Sequence, residues 1–579
     1  MGRRRGCLAR QPTLSAKPAL VTGSRTRLVD ELRAIVGRRQ VITDIAAARA
    51  FTEGYRIGGG PVVAVVRPAT LVELWRAAQA CVAADCILIL QAANTGLTGG
   101  STPYGEYDRP VVVINTSRID GIIPICEGRQ VISLAGATLT KLEGVLAEFG
   151  RVPHSVIGST CLGASVVGGI CNNSGGALVN RGPAFTRHAL YGRIDESGRL
   201  ALVNNLGITL GDDPEQALAL LDRGMLAPER IADDGEQASL AASYSNHVRA
   251  LDEPTPARHN ADSRQLFEAS GCAGKIIVLA VRTKTFPAPR QVMTFLLASN
   301  SAADFAQLRR RVLGTFRHLP ISAEYLHRDA AALAASHGND ICLAVKYLGA
   351  RRMPALFAVK RWFDRAFAPI DAAPSERLLQ AIGKMAPHPL PASIRPIVSA
   401  YQHLLLLTVA DEGIEEARRQ FMSAPVGSMV VHSCSPDEAA ALQRLRFATA
   451  GATVRIAALA GKAGPLVAID CALPRSRRDW QVVLSPKLAD QVLMRADYGH
   501  FLCHVFHLDF VLKPGVDAKL FESDLLEQLD SEGIVCPAEH NFGHHYRAPE
   551  NVVSFYRTLD PTNTLNPGIG QTSRSRNWL

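Results

Sequence analysis

The chain has no run of about 18 apolar residues, the length a helix needs to cross a bilayer, so nothing in it reads as a membrane span. The stretch Cys86–Gly105 is uncharged, but Asn, Thr, Ser, Pro and Gly interrupt it. The early arginines Arg3, Arg4 and Arg5 are followed by no apolar segment, which argues against a secretory signal. Twelve cysteines are scattered without a single C-x-x-C pair. That excludes zinc ribbons and dithiol redox motifs, and fits thiols packed as small hydrophobes in a reducing compartment. There is no G-x-x-x-x-G-K-[ST], and no clean G-x-G-x-x-G between strand and helix, which argues against P-loop and nicotinamide sites. One more absence is local. Residues 152–180, VPHSVIGSTCLGASVVGGICNNSGGALVN, hold no Asp, Glu, Lys or Arg, in a chain that is 20% charged.

That uncharged stretch is rich in glycine. Six glycines fall between Gly158 and Gly176, and with no Cβ in the way the backbone can approach a ligand closely. Exposed N–H groups in such a loop hold an anion without basic side chains. The absence of charge also leaves room for a large apolar ring system. A second loop has similar chemistry. In ILILQAANTGLTGGST, residues 87–102, a short apolar strand Ile87–Leu90 runs into Asn94, Thr95, Gly96, Gly99, Gly100 and Ser101. Two such loops on one domain point to a pyrophosphate held from two sides. The plainer reading is a glycine-rich strand-turn-strand with no ligand.

A chain of 579 residues allows two to four domains at about 150 residues each. Hydrophobic content of 47% makes it globular, and a net charge of +10 suits an anionic partner: nucleic acid, anionic lipid or an acidic substrate. Residues 1–27 hold seven basic residues and no acid and read as a disordered basic tail. Thr70 caps an expected helix to about Ala84, with Glu73 at the capping-box position. Residues 346–398 carry nine Lys/Arg against three acids, with aromatics interleaved. Residues 498–512, YGHFLCHVFHLDFVL, read as one long strand, and 520–531 as a helix.

QAANTGLTGGSTP, PHSVIGSTCLGASVVGGICNNSGGALVNRGPAF and SGCAGKI together resemble the FAD-binding domain of the vanillyl-alcohol-oxidase/p-cresol-methylhydroxylase group. Within it they are most similar to the quinone-dependent D-lactate dehydrogenases of bacteria. The likeness runs from about residue 28 to the C-terminus. It implies an α+β fold: a two-subdomain FAD-binding domain over 28–286, completed by 547–579. A cap domain over 287–345 and 400–546, with an antiparallel sheet and helices on one face, is interrupted by a basic membrane-binding segment over 346–399. It also implies non-covalent FAD held by Ala92, Ala93, Asn94, Thr95, Gly96, Gly100 and Ser101, by Gly158, Ser165 and Gly175, and by backbone groups of Val278. His154 takes a packing or flavin-edge role.

The activity so implied is oxidation of D-lactate to pyruvate, with electrons passed to a membrane quinone at the entry to a respiratory chain. The protein would sit peripherally on the cytoplasmic face of the bacterial inner membrane, bound to anionic lipid and with no nucleic-acid partner. The rivals are another D-2-hydroxy acid with a different acceptor, and a non-catalytic basic membrane- or nucleic-acid-binding protein.

The same resemblance gives the C-terminal histidines a role. Related D-2-hydroxy-acid dehydrogenases have a G-H-x6-H strand and a later E-H-G-x-G, where two His and the Glu bind a divalent metal and the next His is the base. The matching residues here are His500, His507 and Glu539, with His540 as the base. This chain departs from that pattern. It has Phe-Leu-Cys-His-Val-Phe where relatives have a glycine-rich turn, and Asn541 where they have Gly. In one regular strand His500 and His507 face opposite sides and converge only across a bulge or bend, so the metal stays open at this point. His504 and Arg328 are the expected substrate-binding residues, the latter because a bidentate guanidinium suits a carboxylate.

Overall fold

The computed structural model describes residues 22–579 except 55, 157–159, 161, 225, 233–237, 350–351, 368–372, 424–425 and 460–463. The expected tail over 1–27 falls mostly outside these. Its last residues, 22–27, instead open the helix Thr22–Val36, whose Leu28, Val29, Leu32 and Val36 are buried at helical spacing.

Three main sheets organise the molecule. In the first, Ala64–Val66, Val111–Asn115 and Ile87–Gln91 pair in parallel, with Val41–Ile42 antiparallel at the edge. The crossover between Ala64–Val66 and Ile87–Gln91 is the helix Leu71–Ala83. Thr70 Oγ1 accepts from the Glu73 N–H at 3.1 Å, and Glu73 Oε2 reaches back to the Ala69 N–H at 2.6 Å, one residue before the capping position. The second sheet has five antiparallel strands in the order Ile122–Ile125, Gln130–Leu134, Ile277–Lys284, His188–Ile194, Leu200–Asn204. The chain end returns to the first sheet: the Leu88 N–H donates to the Thr564 carbonyl, the Leu88 carbonyl accepts from the Asn566 N–H, and Lys275 Nζ donates to Asn563 Oδ1.

The third sheet has seven antiparallel strands. Their order is Val430–Ser433, Val292–Ser299, His403–Ala410, Ser322–His327, Val492–His500, Val505–Leu512, Leu466–Ala472. Helices cover both of its faces, not one. Ala302–Thr315 and Ala518–Ser531 pack on one side, Arg328–His337 and Pro436–Leu459 on the other. The strand HLLLLTVA at 403–410 explains why: nearly every residue is buried, with no polar face to leave to water.

Residues 498–512 are a hairpin, not one strand. Val492–His500 ends in a 3₁₀ turn, Phe501–Cys503. His504 then takes a left-handed conformation (φ 55°, ψ 37°), and Val505–Leu512 returns antiparallel. The described part of the basic region 346–399 holds the helices Met353–Phe367, Pro374–Met385 and Arg395–Ala400; Pro374–Met385 packs against Met353–Phe367 and Pro436–Leu459, and Arg395–Ala400 against Arg328–His337.

Candidate active site

The hairpin decides the site. Tyr498 pairs with His507 and His500 with Val505, so His500 and His507 sit diagonally on the same face of the sheet. Across the neighbouring strands Glu324 stands opposite His500, and Asp470 opposite His507. A patch of ionisable groups therefore forms on one face of the sheet.

Glu539 comes down on this patch from the loop after the helix Ala518–Ser531. Its Oε2 lies 3.3 Å from His500 Nε2 and 3.9 Å from His507 Nε2. Oε1 pairs with buried Arg258, whose guanidinium also donates to the Gly176 carbonyl at 2.6 Å. Burial works against the Glu539 carboxylate, but Arg258 and His500 outweigh it and hold it well below the usual range. Burial also disfavours the His500 imidazolium, yet Glu324 at 2.6 Å and Glu539 raise it to about 9. His507 is pushed down to about 3 by burial, partly opposed by Glu539, so it is neutral.

The donor atoms of His500, His507 and Glu539 all lie within 4.8 Å of one another. The set fits a divalent ion. Two imidazoles and one carboxylate leave open positions, and Glu324 on the far nitrogen of His500 is the outer-shell carboxylate such ligands commonly have. Binding would have to displace the His500 proton.

His540 is held differently. Its Nδ1 is 3.0 Å from Asp470 Oδ1, while Asp470 Oδ2 accepts the backbone N–H groups of Ala538, Glu539 and His540 at 3.0, 2.6 and 3.2 Å. One fully buried carboxylate thus fixes the loop and orients the ring. Burial lowers the His540 pKa, but Asp470 more than offsets it and the net shift is upward.

His500, His507, Glu539 and His540 line a cavity of about 1320 Å³, with Glu324, Arg446 and Arg56. It is also lined by Ala92, Ala93, Asn94, Thr95, Gly96, Gly100, Ser101, Ser165, Gly175 and Val278, with Gly175 in contact with Glu539. Gly158 lies outside the described residues. From Leu90 to Ala177 no basic side chain lines the cavity, so small residues and backbone groups form this arm, as a diphosphate held by N–H donors needs. Asn94, at φ 53°, fixes the first loop by donating to the Glu53 carbonyl and accepting from Ser101 Oγ. Asn541 lies against Gly100, where a side chain on the glycine would collide with the amide. The residues present fit FAD.

The structure does not bring Arg328 or His504 to this cavity. Arg328 starts the helix Arg328–His337, beyond the end of the strand that carries Glu324, and its side chain is 39% exposed beside Asp329. His504 is buried in the hairpin turn, its Nδ1–H donating to the Pro474 carbonyl among Phe501 and Phe506. His154 is buried, with no hydrogen-bond partner for either ring nitrogen among the described residues, and does not line the cavity. Sequence reasoning missed Asp470, Arg258, Arg56 and Arg446. An acid inside the apolar strand LVAIDCA was the one available signal, for Asp470.

A family described as "FAD binding domain" matches residues 62–191, and one described as "D-lactate dehydrogenase, membrane binding" matches 294–578. The chain is 46% identical over 559 residues to the quinone-dependent D-lactate dehydrogenase of Haemophilus influenzae, covering 95% of this chain and 99% of that protein. It is 43% identical over 568 residues to the enzyme of the same name from Escherichia coli, covering 97% and 99%. In fold it is similar to p-cresol methylhydroxylase (TM-score 0.55, 12% identity, 96% of this chain and 98% of that one). A 4-ethylphenol oxidase from Gulosibacter chungangensis is equally similar (TM-score 0.55, 11% identity, 96% and 98%).

Proposed function

The chain belongs to the family of quinone-dependent D-lactate dehydrogenases, and from that premise we propose that it oxidises D-lactate to pyruvate with FAD and passes the electrons to a membrane quinone. The observation that carries the chemistry is His540 at the cavity wall, held by the buried Asp470 carboxylate. Oxidation removes the hydroxyl proton and the hydrogen on the substrate Cα. FAD supplies the two-electron acceptor for that hydrogen.

His540 takes the hydroxyl proton on Nε2, since Nδ1 is engaged by Asp470. Asp470 raises the proton affinity of the ring and stabilises the imidazolium formed when it takes that proton. His500, His507 and Glu539 orient the substrate oxygens, and a divalent ion on them would polarise the hydroxyl as a Lewis acid. Arg56 is the cation for the substrate carboxylate: it lines the cavity and makes no ion pair among the described residues, whereas Arg446 is held by Glu324 at 3.0 Å. The arm from Ala92 to Ser101, with Ser165, Gly175 and Val278, holds the cofactor. We assign it to an FAD domain over 28–286 with 547–579, and the cap to 287–345 and 400–546.

Among the described residues no helix is long and apolar enough to cross a membrane, and the family is membrane-binding. The segment 346–399 is the contact, on anionic lipid at the cytoplasmic face. Exposed Val359, Trp362 and Met385 stand among Lys360, Arg377 and Lys384 there.

Steady-state assays with D- and L-lactate and a short-chain quinone test the reading. A yellow protein whose flavin is bleached by D-lactate and not by the L-isomer is the expected result. A flavin reduced equally by both, or by neither, overturns it.

A further inference from the structure

The cavity is larger than one cofactor site requires. Pockets for single small ligands are commonly about 300–1,000 Å³, and this one, of about 1320 Å³, runs past the histidines and out between the helices of the basic segment. Its outer part has a construction of its own. Phe447, Ala450 and Val454 form one stripe of the helix Pro436–Leu459 at i, i+3 and i+7. Leu356 and Phe363 face the same space from Met353–Phe367, at i and i+7, and Leu379 from Pro374–Met385. At the mouth Val359 and Leu378 line the cavity while remaining 61% and 49% exposed. At the inner end Arg446 has a buried Nε–H with no acceptor among the described residues.

We infer that this vestibule is the binding site of the membrane quinone, with the isoprenoid tail leaving between Met353–Phe367 and Pro374–Met385 and the ring lying inward near Arg446. The inference rests on the quinone-acceptor reading above and adds the site. Three observations support this occupant. Apolar stripes on three helices line the vestibule, and the charged residues among them, Asp340, Lys360, Glu376 and Arg455, are paired with one another, which suits a prenyl chain rather than a soluble acceptor. The mouth opens among exposed Val359, Trp362 and Leu378, the apolar face of the segment that meets the membrane, so a lipid-dissolved ligand enters without crossing water. The free Arg446 donor suits a ring carbonyl. In the net reaction the two electrons and two protons removed from D-lactate, its Cα hydrogen and its hydroxyl proton, end on the quinone, whose two carbonyl oxygens become quinol hydroxyls while the flavin returns to its oxidised form.

The test uses the full-length flavoprotein with Ala450→Trp and Val454→Trp, which fill the vestibule from one wall. Three readings are compared with the parent: anaerobic flavin reduction by D-lactate, turnover with ferricyanide, and turnover with a long-chain ubiquinone in phospholipid vesicles. Quinone turnover should fall by about tenfold or more, because an indole blocks the passage, with flavin reduction and ferricyanide turnover within about twofold of the parent. Unchanged quinone turnover in flavin-replete variants, or a parallel loss with ferricyanide, overturns the assignment. Should both variants lose flavin, an azidoquinone on the parent decides: label within 353–385 and 443–455 supports the site, and label elsewhere refutes it. If D-lactate fails to reduce the parent flavin, the substrate reading falls. Chemically reduced enzyme then still reports on the vestibule through its reoxidation by quinone.

Discussion

Gly175 and Glu539 are in direct contact: a Cβ built on Gly175 would lie 2.6 Å from Glu539 Cγ and closer still to the carboxylate. The charge-free cradle therefore does two things at once. It lines the cofactor cavity, and through the Gly176 N–H, 3.2 Å from Glu539 Oε1, it seats the carboxylate that meets both histidines.

Substituting Gly175→Ala should accordingly push Glu539 away from His500 and Arg258. The flavin absorbance near ~450 nm should survive, while turnover falls on the order of 10²-fold, the upper end for loss of a supporting contact. Elemental analysis of the same samples should show divalent metal in the parent and less in the variant. A variant with parental turnover would mean that Glu539 does not need its present position.

The pair Asp470–His540 gives a second prediction. His540→Asn should keep its flavin and lose about 10²- to 10⁴-fold in the rate of flavin reduction by D-lactate, the usual cost of a missing general base. Asp470→Asn should lose less, about 10- to 100-fold, because it disorients the ring without removing it. Dithionite should reduce both at the parental rate. If His540→Asn is reduced by D-lactate as fast as the parent, the base lies elsewhere.

The parts of the site that could be read from sequence are those where chemistry constrains residue size. Close backbone approach demands small residues, so Ala92–Ser101, Ser165 and Gly175 stand out as patterns in the amino-acid sequence itself. The hairpin was invisible for the opposite reason. FLCHVF has none of the Gly, Pro, Asn or Asp that mark turns, and the left-handed position is taken by His504, held by tertiary packing. The cations were hidden too. Arg56, Arg258 and Arg446 come from three distant stretches and meet only through the fold. Arg328 has more polar neighbours in sequence but sits past the strand end.

Membrane attachment gives the third prediction. Each Lys or Arg near an anionic surface contributes about 1 kcal/mol, and salt screens it. The full-length protein should sediment with vesicles containing phosphatidylglycerol at low salt and be released at high salt. Val359→Glu with Met385→Glu should weaken binding, since these exposed side chains, 61% and 81% accessible, would carry charge into the interface. Equal binding to neutral and anionic vesicles would count against the electrostatic component.

The fourth prediction concerns Lys275, far from the histidines. Its Nζ donates to Asn563 Oδ1 at 2.8 Å and lies 4.3 Å from the centre of the Trp578 ring, joining the second sheet to the chain end. Burial drives the ammonium down to about 7, against the pull of Asp560, from an ordinary value of 10.5 in the unfolded chain. Between those two values the unfolded chain binds more protons than the folded one, so this group's contribution to stability rises with pH across that window. Below the folded value both states hold the proton, and the cost of burying the charge is full and constant. Lys275→Met removes the titration; the lost hydrogen bond to Asn563 adds a mainly constant offset. The thermal midpoint of the parent minus that of Lys275→Met should therefore increase from about pH 6 to about pH 9. A difference that stays flat would mean that Lys275 keeps an ordinary affinity for its proton, and one that decreases would mean that its charged form is favoured by the fold.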